Sequence, residues 1–177
     1  MPRKEPLVPD AAVFAAVVGV ISEVGPAGLT LARIGEGCGL TAGALVIRYG
    51  SKRGLLAAFA AASVADVRDV FAAATRRSPS DPHTAAVDAL ARLAAPLGGR
   101  RSFANHLGWF AQELADDDLR PYAVAHARSV QSALAELLDD QAAARRLYTA
   151  YQGALIVWAL DGPGSIGAFL RRELADL

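Results

Sequence analysis

Between Leu29 and Leu45 the chain reads Leu-Thr-Leu-Ala-Arg-Ile-Gly-Glu-Gly-Cys-Gly-Leu-Thr-Ala-Gly-Ala-Leu. Two helices that cross steeply need a very small residue where they touch, a turn residue free to take positive φ, and apolar residues to fill the wedge between them. Gly35, Gly39 and the set Ile34, Leu40 and Leu45 supply all three. Thr30 and Thr41 can cap the two helices, predicting one from Leu31 to Cys38 and the next to about Arg48. Gly35 and Gly37 each cost roughly 1 kcal/mol relative to Ala inside a helix. Gly35 has a packing reason at the crossing, and nothing in the sequence supplies one for Gly37.

The rest of the chain repeats the helical period. Residues 1–9 read as a short flexible arm, with Asp10 as a plausible cap for a first helix whose stripe is Val13, Phe14, Val17, Val18, Ile21 and Val24. A long fourth helix starts at Ser51 and breaks near Arg76-Arg77-Ser78-Pro79, long enough at the helical rise to bridge two halves. Further helices are predicted over about 83–97, 101–115, 119–138, 140–161 and 166–175, punctuated by Gly98-Gly99, Asp116-Asp117-Asp118 and Asp161-Gly162-Pro163-Gly164. With 39 Ala among 177 residues and only 7% aromatics, close helix packing is favoured over strands. The expectation is all-α, about nine helices and no strands, with a helix-turn-helix domain over 1–50 and a helical body over 51–177.

Residues 29 to 56 resemble the tetracycline-repressor-like (TetR) family of transcriptional regulators. The family pattern has a Thr opening helix two, Ile-Ala-Glu-x-x-Gly before the turn, then Gly-x-Leu-Tyr-x-x-Phe-x-Ser-Lys-x-x-Leu-Leu. Here the latter part is Gly43-Ala44-Leu45-Val46-Ile47-Arg48-Tyr49-Gly50-Ser51-Lys52-Arg53-Gly54-Leu55-Leu56. The resemblance implies a dimeric DNA-binding protein, and the single cysteine, Cys38, fits a reducing, cytoplasmic compartment. Helix three would enter the major groove, Thr30, Thr41 and Lys52 would hold phosphates, and the C-terminal half would bind a small molecule. Physical chemistry agrees for those three residues: a hydroxyl and free N–H groups at a helix start donate to phosphate, and Lys52 opposes the dipole of its own helix unless an anion pairs with it.

The candidate DNA-binding set is Thr30, Arg33, Thr41, Ala42, Ala44, Ile47, Arg48 and Lys52. Val46 stands where the family usually has Tyr, and it can offer only apolar contact, for example to a thymine methyl. Arg48 is the candidate donor to guanine. Net charge over the chain is zero, and residues 1–56 hold six Lys+Arg (Arg3, Lys4, Arg33, Arg48, Lys52, Arg53) against four Asp+Glu (Glu5, Asp10, Glu23, Glu36). Bulk charge therefore excludes non-specific coating of nucleic acid and leaves a local contact surface. A dimeric sensor or protein-interaction module with weak or lost specific DNA binding is the second reading of Val46, Ile47 and the thin surplus.

In the body, Asn105, His106 and Trp109 share one side of a helix, with Phe110 and Gln112 nearby and His126 and Gln152 elsewhere. These seven are the candidate effector-binding residues, for a largely apolar small molecule. A helix that is apolar on two faces needs a partner beyond its own core, so Leu147, Tyr151, Ala154, Leu155 and Trp158, with Ile166, Phe169 and Leu170, are the expected homodimer interface. His83, His106 and His126 lie too far apart for a metal signature and Cys38 is the single cysteine, so no metal or cofactor is expected. No nucleophile motif is present, no catalytic residue is assigned, and the chain reads as not an enzyme. The run Leu147 to Leu160 falls short of the roughly 20 apolar residues of a membrane span, and no membrane partner is expected.

Overall fold

The computed structural model describes residues 8–177. Among them are nine α-helices and no strand: α1 (Asp10–Val24), α2 (Leu31–Cys38), α3 (Ala42–Tyr49), α4 (Lys52–Arg77), α5 (Pro82–Ala94), α6 (Arg100–Ala115), α7 (Arg120–Leu138), α8 (Gln141–Asp161) and α9 (Ile166–Glu173). The all-α expectation holds. The predicted arm falls almost wholly outside the described residues.

Most helix starts follow from local capping. The side chains of Thr30, Thr41, Ser51, Asp81, Asp140 and Ser165 each accept a backbone N–H from the first turn they precede. Asp10 departs from expectation: Pro9 occupies the cap position and Asp10 lies in the first turn of α1. Its carboxylate instead pairs with Arg48 at 2.6 Å and accepts the Tyr49 hydroxyl. The fifth helix also ends earlier than its periodicity suggests. Pro96 has no N–H to continue the ladder, so residues 95–97 form a 3-10 turn.

The buried side chains form two clusters. One joins α1, α2, α3 and the start of α4 through Val13, Val17, Ile21, Ile34, Leu45 and Leu55, and takes in Trp109 and Leu119 from the body. The other lies among the second half of α4 and α5 to α9. Its centre is α5, which buries Ala85, Ala86, Ala89, Ala91 and Ala94 beside Leu90. The alanine bias is thus used where helices approach α5 most closely. Asp88, on that helix, receives both Arg92 and Arg171 at 2.7 Å and ties α5 to α9. The 26 residues of α4 span about 39 Å at the helical rise and contribute to both clusters. No helix among the described residues is long and apolar enough to cross a membrane.

Candidate nucleic-acid interface and sensor helices

The crossing of α2 and α3 is set by backbone contact. A Cβ on Gly35 would lie 2.3 Å from the Leu40 carbonyl oxygen, so any larger residue forces the helices apart. Gly39 takes φ +72°, the left-handed conformation that closes α2. Gly37 also has its reason: a Cβ there would sit 3.0 Å from the Ala16 Cβ, where α2 rides over α1. Gly54 makes a further close approach, since a Cβ there would lie 2.1 Å from the Tyr49 carbonyl oxygen, and it seats the start of α4 against the end of α3.

On this frame Thr30 and Thr41 are exposed, with their oxygens 3.3 Å from the Arg33 N–H and 3.1 Å from the Ala44 N–H. Each hydroxyl hydrogen stays free to donate. Arg33 and Lys52 are exposed and have no acidic partner among the described residues. Ala42 and Ala44 are half-buried at the start of α3. The outward face of α3 presents Gly43, Val46 at 42% exposure and Ile47 at 88%.

Arg48 is held elsewhere. Besides the Asp10 pair, it donates to the Val8 carbonyl at 2.5 Å and lies over the Tyr49 ring. Its guanidinium therefore acts as a clamp between α3 and the start of α1. Arg53, which the sequence offers only as part of the basic count, pairs with Asp116 and Asp118 at 2.6 Å and fixes the start of α4 to the α6–α7 turn.

The body residues divide differently from expectation. Asn105 donates to the Ser22 carbonyl at 2.9 Å, His106 Nε2 hydrogen-bonds the Ser22 hydroxyl at 2.9 Å, and Trp109 is buried in the head cluster. These three face α1 together and form the head–body junction, with the Asn105 and His106 polar atoms engaged there. Phe110 and Gln112 are exposed on α6. His126 Nδ1 donates to the Ser63 carbonyl at 3.2 Å across α7 and α4, and Gln152 donates to the Tyr148 hydroxyl at 2.8 Å on the surface of α8. The seven do not line one cavity.

Two recesses of the body lie along α4. One, of about 360 Å³, opens between α4 and α7 and is lined by Arg68, Phe71, Thr75, Ser129, Glu136 and Leu137. Another, of about 340 Å³, lies at the C-terminal end of α4 against α5 and α9, beside Arg77, His83, Asp88 and Arg171.

Glu113, one turn beyond Trp109, is a titratable group that sequence reasoning missed. Burial pushes its carboxyl up to about 7, against a hydrogen bond from Trp109 that stabilises the charged form. Burial depresses His106 and His126. A lone Glu in an otherwise ordinary helix carries no sequence signal for such a shift, because the shift comes from what packs over it.

The outward face of α8 is also displaced from the expected one. Leu147, Tyr151, Leu155, Trp158, Ile166, Phe169 and Leu170 are buried within the protomer, and Ala154 is half-buried. Trp158 packs edge-on to Phe103 and donates to the Gly164 carbonyl at 3.1 Å. Among the residues that α8 leaves exposed, Gly153, Ile156, Val157 and Leu160 form one small and apolar stripe.

A steep two-helix crossing with an exposed second helix, carried on an all-helical body, is a helix-turn-helix arrangement. Residues 14–59 match the family model described as bacterial regulatory proteins, tetR family. None of the curated proteins compared with the chain matches it. Among solved structures, a transcriptional regulator from Rhodococcus sp. Rha1 superposes with a TM-score of 0.70 at 17% identity, covering 94% of each chain. The multidrug binding protein EbrR in complex with malachite green gives a TM-score of 0.62 at 22% identity, covering 94% of this chain and 95% of that one. The TetR family transcriptional regulator PfmR from Thermus thermophilus gives 0.59 at 14% identity, covering 92% and 94%. The match to the family model is confined to residues 14–59, and the chain as a whole has the fold of tetR-family transcriptional regulators.

Proposed function

We propose that the protein is a ligand-responsive transcriptional repressor that binds a pseudo-palindromic operator as a homodimer and is released by a small, largely apolar effector. The observation that carries the reading is the α2–α3 crossing, with α3 exposed along one face and hydroxyl-capped helix starts at Thr30 and Thr41. Residues 1–50 act as the operator-binding unit and 51–177 as sensor and dimer body. Thr30, Thr41 and Lys52 hold phosphates, with Arg33 as a further cation.

The effector is placed between α4 and α7, where the larger recess opens. That α4 runs from this recess to Lys52 supports the placement, because a shift of the helix at one end moves the phosphate contact at the other. Asn105, His106 and Trp109 transmit the change by coupling α6 to α1. Release then follows from different effector affinities for the DNA-competent and splayed states. EbrR, solved with malachite green and with imidazole, shares the fold and lends support to a small-molecule role for the body. The mate is proposed to meet the open face of α8 at Gly153, Ile156, Val157 and Leu160, a stripe with a small residue for close approach.

Selection of bound duplexes from a random DNA pool tests the function. Recovery of a site with two half-sites about 34–36 Å apart is the expected result. Recovery of no preferred sequence leaves the sensor or interaction-module reading in its place.

A further inference from the structure

We propose that α3 reads its operator through thymine methyl groups, with Val46 and Ile47 as the specificity-determining side chains. The inference rests on the operator-binding reading and deepens it. The side chains of α3 that could hydrogen-bond a base edge are Arg48 and Tyr49, and Asp10 holds both: Arg48 through an ion pair of 2.6 Å, Tyr49 through its hydroxyl. The Val8 carbonyl takes a second N–H of Arg48 at 2.5 Å. What remains outward on the helix is Gly43, Val46 and Ile47, which offer no side-chain donor or acceptor.

In the major groove each base pair is distinguished by its hydrogen-bonding pattern, except that thymine also presents a C5 methyl. A β-branched apolar pair can discriminate only through that methyl. Ile47 at 88% exposure gains apolar contact on docking that the folded protomer does not give it. The small Gly43, with nothing but the Thr41 hydroxyl within 4 Å of a Cβ position, lets the backbone come near the base edges.

Charge complementarity names DNA as the occupant of this apolar face. Arg33 and Lys52 flank α3 in the chain and have no acidic partner among the described residues, and the starts of α2, α3 and α4 carry exposed hydroxyl caps at Thr30, Thr41 and Ser51. A protein partner with an apolar patch would not require the surrounding cations.

The test uses the full-length protein and the duplex selected from the random pool. Each thymine under α3 is replaced by deoxyuridine, which removes only the methyl. Affinity should fall roughly fourfold for each contacted methyl, the effect of one buried methyl-sized group. The Ile47→Ala protein should no longer distinguish thymine from deoxyuridine at the methyl that Ile47 contacts, and should keep the discrimination at any methyl that Val46 contacts, as coupling between the two removed groups requires. Its fold is not at risk, since Ile47 has almost no contacts to lose. Equal affinity of the unaltered protein for both duplexes overturns the methyl reading and leaves operator binding standing. A selection that recovers no preferred duplex overturns operator binding itself, and the methyl reading with it.

Discussion

The exposed apolar stripes of α3 and α6 differ in the charge that surrounds them. On α3 the stripe is Val46 and Ile47, between the cations Arg33 and Lys52, which no described carboxylate pairs, and the hydroxyl-capped helix starts. On α6 it is Leu107, Phe110 and Leu114, on a helix that runs into Asp116, Asp117 and Asp118. The apolar content is similar. A polyanion is attracted to the first, whereas at the second the carboxylates already hold cations, Asp116 and Asp118 sharing Arg53 and Asp117 pairing with Arg120, so the neighbouring charges, and the partners those charges already have, decide what each stripe can meet. Arg48 and Arg53 sharpen the point: both add to the basic count of the head, yet Asp10, Asp116 and Asp118 neutralise them within the protomer.

The strongest way to break the α3 surface is to remove the crossing that presents it. Gly35→Val should destabilise the head by about 2–3 kcal/mol, since its Cβ meets a backbone oxygen that cannot move without opening the turn. Thermal unfolding would show it as a lowered Tm, and operator binding should be lost. Gly19→Ala on α1 is the matched control for unfolding, because nothing lies within 4 Å of its Cβ position. It should be neutral or stabilising by up to about 1 kcal/mol in the protomer. Ile156→Arg on the open face of α8 places a charge where the mate is proposed to sit, and light scattering should then report a monomer; a persistent dimer would move the interface elsewhere.

The next effect is smaller and concerns charge alone. Lys52→Ala should weaken operator binding at every sequence and lower the slope of log affinity against log salt by about 0.9, one released counterion. Arg53→Ala removes an equal charge one residue away, but one already paired, so the slope should stay near that of the unaltered protein. Equal slope changes in the two variants would show that pairing in the free protomer does not govern the contact with phosphate.

How much of this was legible in the sequence depends on the range of each determinant. The crossing was legible because Thr30, Gly35, Gly39 and Thr41 act on neighbours a few residues away. Asn105, His106 and Trp109 do share one side of α6, as their spacing requires, but that side meets α1, and nothing local to α6 specifies Ser22 as the partner. The same holds for α8. Leu147, Tyr151, Leu155 and Trp158 form a continuous stripe, and only the packing of α6, α7 and α9 makes it the protomer's own core and not its outer face. Gly37 was opaque for the same reason: its explanation is Ala16, on another helix.

The subtlest contrast is within the junction itself, between Glu113 and His106. The Glu113 carboxyl is raised from 4.5 to about 7, so its neutral form favours the folded protein. That contribution is complete below pH 4.5 and is lost as pH rises through 7. His106 is lowered from 6.5 by burial, so its contribution is present above 6.5 and is lost as pH falls below that value. The two groups squeeze junction stability from opposite sides and favour mildly acidic to neutral conditions. Glu113→Gln keeps the neutral shape without the titration. Measured from about pH 4 to about pH 8, the variant's Tm should match that of the unaltered protein at the acid end and exceed it at the alkaline end. The expected gain is about 2–4 °C, the size of a roughly 1 kcal/mol effect in a chain of this length. Parallel Tm curves would mean that the Glu113 carboxyl reaches water in solution, and that the head–body junction is more open at Trp109 than its packing shows.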